Sequence, residues 1–349
     1  LYVATLNTLV AVILMKDTTV EVTVLRQVHV LMSHGERTPS EQELEMLGAE
    51  PPDHVFSPYG AGALTNVSSA LDFSPMVNRG FTEGKMLTFE MGALLRKRYN
   101  EFLGPLYEPE FLFQLLYEEN CPRYKLEKQR ILDAFVDEGF LVPYRDLFNK
   151  IAQMTNTNFS TPQDAFLMSN LFIIQDDIKV ANPKWAKHVK RKLMDIAKLE
   201  YSMMFHNNLL RKLSGGALLQ QIIKEAVSNT VDPGSARVIV RTGTPVSVSA
   251  LLSACVAPPP RLPDPGVAIL FELHERLPSE GQEKTKLSDD QRFGFKIYYW
   301  DDDSAEPRLM EVPGCTDFCP LETFKQLTKY TVSHNYEDDC KPPTNNDKL

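Results

Sequence analysis

The sequence predicts an α/β protein, a mixed sheet flanked by helices with a helical cap inserted into it. Apolar strand-like runs gather near both ends of the 349-residue chain, and apolar residues at helical spacing dominate the stretch between them. A chain of this length is expected to form one large domain or a core with an insert, with ample apolar content to bury. The core is expected from residues 22–115 and 231–349, and the cap from residues 121–230.

The elements follow in order. Residues 1–15 are apolar and uncharged, about the length of a signal-peptide hydrophobic region and too short to span a bilayer. The chain opens on Leu1, so residues 1–16 are expected to be a truncated signal peptide; the alternative is an N-terminal buried strand. A strand is expected over 25–32, where Val28, Val30, Leu31 and Met32 make an apolar run and His29 reads as a satisfied core histidine. The loop that follows, Ser33-His34-Gly35-Glu36-Arg37-Thr38-Pro39, leaves the end of a buried strand where open α/β sheets place ligands. Leu87, Met91, Leu94, Leu95 and Phe102 mark a helical stretch ended by Gly104-Pro105. One long helix is expected from 183 toward 213, stopped by Gly215-Gly216, with another over 217–227. Residues 237–241 and 267–273 read as buried strands. Phe293, Phe295, Ile297 and Tyr299 alternate like one strand of an edge hairpin, with Asp301-Asp302-Asp303 as its solvated turn.

A net charge of −9 argues against nucleic acid or an anionic membrane surface as partner, and no other segment is long and apolar enough to cross a membrane. No Cys or His cluster has ligand spacing, so neither a metal nor a cofactor is expected. Two Asn-x-Ser sequons, at Asn66 and Asn158, fit a secreted, extracellular glycoprotein, although sequons also arise by chance.

The loop at Ser33 resembles the Arg-His-Gly-x-Arg-x-Pro signature of the histidine acid phosphatases, with serine in place of the leading arginine. Other landmarks follow in that family's order. They include Gly80 to Lys85, Gly92 to Tyr99, Asn120-Cys121-Pro122-Arg123-Tyr124, Asn182 to Ala186, Gly215-Gly216, and Gly314-Cys315 through Glu322. Phe271-Glu272-Leu273-His274 is especially similar to the secreted insect branch, which holds venom acid phosphatases and the non-catalytic, mediator-binding salivary proteins of fleas.

The resemblance implies a histidine-phosphatase-like fold and two disulfides, Cys315–Cys319 and Cys121–Cys340. The positions of a third family bridge are Ile173 and Ala268, which leaves Cys255 as a buried free thiol. It also marks a gap. Between Pro109 and Asn120 the chain has ten residues where the family has several dozen, including a core strand and another phosphate-binding arginine. Either this is a deletion tolerated by repacking or the sequence derives from a defective transcript.

The family's chemistry needs a nucleophilic histidine, several arginines on the phosphoryl oxygens, and a His-Asp pair that protonates the leaving alcohol. His34 matches the nucleophile and Arg37 the second arginine. The first arginine is Ser33, and the His-Asp pair has become Thr244-Pro245. Losing a proton donor costs ~10²–10⁴ in rate, and an arginine on a transferring phosphoryl group is worth ~10³–10⁵. Such vacancies imply a pseudoenzyme. With Arg37 balanced by Glu36, and Ser33, Thr244 and Pro245 replacing charge, the former active-site cleft is expected to bind a neutral, cationic or amphipathic small molecule. Resemblance to the salivary proteins names biogenic amines such as serotonin, and leukotrienes. The candidate ligand-binding residues are Ser33, His34, Arg37 and Thr244. For His34 the competing role is a leftover loop residue bonded to its neighbours. Phe148, Phe166, Met168 and Trp185 are candidates to line the cleft, but each is first expected to be ordinary core. The alternative functions are residual phosphomonoester hydrolysis through His34, and a secreted structural or antigenic protein with no small ligand.

Overall fold

The computed structural model describes residues 22–35, 37, 39–48, 74–104, 110–112, 121–177, 179–233, 237–257, 264–277, 289–301 and 304–343. The expected signal peptide, Glu36 and the sequon at Asn66 lie outside the described residues.

Seven strands form one mixed sheet: β1 (Thr23–Ser33), β2 (Glu110–Leu112), β3 (Val238–Gly243), β4 (Ala268–Arg276), β5 (Phe293–Trp300), β6 (Arg308–Met310) and β7 (Cys319–Pro320). Their order across the sheet is β2-β3-β1-β4-β5-β6, with β7 also on β5. β1 and β2 both run parallel to β3, whereas β4, β5 and β6 are antiparallel to their neighbours. The short segment before Cys121 thus still supplies a three-residue strand at the β3 edge. β5 forms the expected hairpin at the sheet edge, with β6 as its outer strand. Asp301, expected in a solvated turn, is buried instead: it accepts from the Ser304 hydroxyl and pairs with Arg308.

Among the described residues the α-helices are α1 (Glu41–Glu45), α2 (Ser74–Arg98), α3 (Asn100–Leu103), α4 (Pro122–Asp137), α5 (Arg145–Thr155), α6 (Pro162–Asp177), α7 (Ala186–Met204), α8 (Asn208–Ser214), α9 (Gly216–Val231), α10 (Pro245–Ala254), α11 (Asp289–Arg292), α12 (Leu321–Thr328) and α13 (Tyr336–Asp339). The single helix expected over 183–213 is two. Asn207 breaks it, because its side chain accepts the Leu210 N–H and starts α8. None of these helices is long and apolar enough to cross a membrane.

Alternation along β1 and β4 divides the core into two layers. Leu31, Ile269, Phe271 and Leu273 face α9, α10 and α12, where Leu219, Leu251 and Phe324 meet them. Val28, Val30, Met32 and Leu270 face α2 and α3, against Met91, Leu95 and Phe102. The helices of 121–230 divide between two packings. α5, α6 and α7 enclose a core of their own around Phe148, Met168 and Leu193, while α9 covers the sheet. Gly216 sits where α9 meets the chain near Thr331, and a Cβ there would lie 2.1 Å from the Thr331 carbonyl oxygen. This close approach, as well as the helix ending, requires glycine.

Two sequence landmarks meet at Glu272 on β4. Its carboxylate accepts from Arg98 at 2.8 Å, from the Tyr99 hydroxyl at 2.8 Å and from His274 Nε2 at 2.9 Å. Both expected disulfides form, Cys121–Cys340 and Cys315–Cys319, and Cys255 is buried and free.

Burial alone would raise the Glu272 carboxyl, but His274, Arg98 and Tyr99 outweigh it and hold the group below the ordinary carboxylate range. A depressed folded pKa stabilises above the unfolded value and is lost as pH falls through the folded one. Glu272→Ala is therefore expected to lower stability at neutral pH. The loss should be roughly 2–4 kcal/mol, below that for a fully buried pair, because the Arg98 side chain stays 25% exposed. Thermal melts from neutral to acidic pH should show the wild-type advantage shrinking as Glu272 protonates; a pH-independent difference would refute the assignment.

Candidate functional site

The register of β1 on β3 sets the site. Ser33 lies opposite Gly243, so His34 and Thr244 leave the sheet side by side at the carboxyl ends of two parallel strands.

His34 is pinned through its backbone. Its N–H donates to the Gly243 carbonyl at 3.0 Å, and its carbonyl accepts from the Gly266 N–H at 3.0 Å. The next residue lies against α2, and a Cβ at Gly35 would sit 2.5 Å from the Gly84 carbonyl oxygen. His34 Nδ1 is 2.7 Å from the Gly35 carbonyl, which only accepts, so the proton is assigned to Nδ1 and the lone pair to Nε2. Burial pushes the imidazole below its ordinary pKa despite that carbonyl, which keeps the ring neutral at neutral pH.

Arg37 faces Glu43. Nη1 donates to Oε2 at 2.7 Å and Nη2 to Oε1 at 2.6 Å. Glu43 is 1% exposed. Its carboxylate also accepts the Ser40 N–H at 2.7 Å, and the Ser40 hydroxyl accepts the Glu43 N–H at 3.3 Å, a capping box that begins α1. Burial would raise the Glu43 carboxyl, yet Arg37 and Ser40 hold it below the ordinary range. Sequence reasoning missed this partner, although Ser40-Glu41-Gln42-Glu43 ahead of Leu44 is a legible helix start.

Thr244-Pro245, where the resemblance led a His-Asp pair to be expected, forms a helix beginning. The Thr244 hydroxyl accepts the Ser247 N–H at 3.1 Å, the Ser247 hydroxyl accepts the Thr244 N–H at 3.2 Å, and Pro245 takes the first helical position of α10. The extended backbone of Thr244, φ −107 and ψ 166, is what both a residue before proline and an N-cap require. Pro245 has no N–H and no titratable proton to give.

His34, Arg37, Thr244, Pro245 and Glu43 line one cleft of about 250 Å³. Ser33 lies behind it, fully buried, its hydroxyl donating to the His34 carbonyl and accepting the Val267 N–H at 3.1 Å. The opposite wall comes from α6 and α7: Phe166, Asn170, Ile173 and Ile174 share one helical face, and Tyr201 faces them. The Phe166 and Tyr201 rings meet edge to face with centroids 5.4 Å apart. Asp264 completes the rim, and among the described residues the lining holds the Arg37–Glu43 pair and Asp264 beside a neutral histidine.

Of the four cap residues weighed as lining, Phe166 reaches the cleft. Phe148 and Met168 belong to the α5–α7 core, where Trp185 packs edge to face on Phe172. Asn170, Ile173 and Ile174 join Phe166 at helical spacing on the cleft wall, and of these only Phe166 was weighed as lining from the sequence. His29 is a satisfied core histidine: Nε2 bonds Gln27 at 2.9 Å, and Nδ1 lies beside Glu225 and buried Arg241. Asn158 is exposed, as a glycosylation acceptor must be. A larger hollow of about 330 Å³ opens between α4 and α7 around the Lys128–Glu200 pair; Tyr124 of the Asn120–Tyr124 landmark lines it, but none of the candidate ligand-binding residues does.

No family model matches the chain. It is similar to venom acid phosphatase Acph-1 of Apis mellifera, 25% identical over 370 residues that cover 90% of this chain and 87% of that protein. Over a shorter stretch of 170 residues it is 29% identical to acid phosphatase-like protein XcAP-3 of Xenopsylla cheopis, covering 45% of this chain and 44% of that one. The solved structure of the apo phytase of Hafnia alvei superposes over 92% of this chain and 99% of its own, with a TM-score of 0.57 at 13% identity, a likeness of fold. Sheet order, the loop carrying His34 and these relatives agree, and the chain belongs to the histidine acid phosphatase family.

Proposed function

We propose that this chain is a secreted, catalytically inactive acid-phosphatase-like protein that binds a small amphipathic mediator in the cleft between sheet and cap. Biogenic amines such as serotonin, and leukotrienes, are the ligand classes proposed. The observation that carries the reading is the helix start at Thr244-Pro245. The position that in the family protonates a leaving alcohol is here committed to capping α10, and neither Thr244 nor Pro245 carries an acidic group. The walls support the ligand class. Phe166, Ile173, Ile174 and Tyr201 offer apolar and aromatic surface, and Glu43 neutralises Arg37, which favours an amphipathic molecule over a phosphate dianion. The two disulfides fit an oxidising extracellular compartment.

Residual phosphomonoester hydrolysis is the second reading. One observation favours it: His34 is neutral, with its Nε2 lone pair uncommitted by the Gly35 bond.

Hydrolysis of p-nitrophenyl phosphate across acidic pH separates the two. Wild type and His34→Ala are expected to be indistinguishable, and turnover abolished by His34→Ala would establish the enzyme instead. Titration calorimetry against an amine and leukotriene panel is expected to give at least one affinity well tighter than millimolar, weakened about tenfold by Phe166→Ala, as for loss of one buried aromatic contact. Failure of every ligand would sink the binding reading. Amine affinity should also fall with pH. Burial keeps His34 neutral until the pH drops below the ordinary histidine range, after which the imidazolium repels a cation. His34→Asn is expected to remove that step of the decline.

A further inference from the structure

Arg37 is the one arginine of the signature loop that the chain retains, and its guanidinium is turned into the protein rather than toward an incoming anion. Both terminal nitrogens donate to the two oxygens of Glu43, a bidentate fork that fixes the guanidinium plane. Glu43 cannot release it easily. The carboxylate is 1% exposed, and an oxyanion that drew Arg37 away would leave a buried negative charge without its partner. Nor can Glu43 swing aside, because its backbone N–H and its side chain are both engaged by Ser40 in the capping box that starts α1. α1 itself rests on α6, the helix that supplies the opposite wall of the cleft.

We propose that Glu43 is the residue that sets the charge preference of the cleft: it closes Arg37 into an internal pair and so excludes phosphate and similar oxyanions from the space beside His34. The inference deepens the binding reading above and rests on the same cleft, but it does not depend on which mediator binds. It assigns the exclusion of anions to one acidic side chain rather than to the replacements at Ser33, Thr244 and Pro245 alone. A neutral amide at 43 keeps the acceptor that Ser40 N–H needs and a single bond to Arg37, and glutamine is a normal third residue of a capping box. The fold should therefore survive the change while the guanidinium becomes available to an anion.

The test is inorganic phosphate binding by titration calorimetry at neutral pH in four proteins: wild type, Glu43→Gln, Arg37→Gln and the double variant, with thermal melts on each. Glu43→Gln is expected to bind phosphate at least about tenfold tighter than wild type, the low end of what one arginine–oxyanion contact provides. Arg37→Gln and the double variant should stay as weak as wild type. An unchanged phosphate affinity in a folded Glu43→Gln protein overturns the proposal, and so does a gain that persists without Arg37. Should Glu43→Gln fail to fold, Glu43→Met, which fills the same buried space without charge, gives the same comparison. Serotonin titrated into the same four samples keeps the two readings apart. A phosphate gain with no mediator bound by wild type supports the role of Glu43 and defeats the mediator reading; mediator binding with no phosphate gain does the reverse.

Discussion

The cleft depends on how the chain is gripped at His34. Two backbone hydrogen bonds, to Gly243 at the end of β3 and to Gly266 before β4, fix the residue between the strands that flank β1. The parallel register of β1 and β3 then dictates that Thr244 emerges beside it. Gly35 against Gly84 seats α2 behind the loop, and the α1 capping box continues it. The frame that presents these side chains is backbone, and backbone does not depend on which side chains it carries, so the same fold can present different sites.

The replacements are not blanks. Ser33 ties β1 to the start of β4 through Val267, Thr244 caps α10, and Arg37 closes onto Glu43. Each of these side chains finds its hydrogen-bond partner within the protein, and a satisfied polar group avoids the cost of a buried one left unpaired. A neutral His34 survives because its ring is held by its own loop, a contact that serves equally well with or without a substrate.

Much of the fold was legible from patterns whose period is enforced by burial. The alternation in β1, β4 and β5 and the stripes of α2 and α9 follow directly from two-sided packing. Errors fell where a local bond overrode the pattern. The Asn207 cap split a helix whose apolar spacing runs on without interruption, and Arg308 and Ser304 drew Asp301 inward from what composition makes a solvated turn. In the site, His34, Arg37 and Thr244 were found by motif because they stand in the loops that define it. Glu43 was legible as part of a helix start but not as the partner of Arg37, and Tyr201 reaches the cleft only because α7 closes over the sheet. Partnerships between side chains far apart in sequence are set by packing, which a single sequence does not spell out.

The bond between Cys121 and Cys340 has a further consequence. It joins the beginning of α4 to the end of α13 and encloses 219 positions of sequence separation, including the cap helices and most of the sheet. Any single cut in the chain between those cysteines, by a protease met outside the cell, converts the loop into two pieces still held by sulfur. The severed ends cannot diffuse apart, so the interrupted strands and helices stay at high effective concentration and can remain docked. A nicked molecule would keep its cleft, and its damage would show only after reduction.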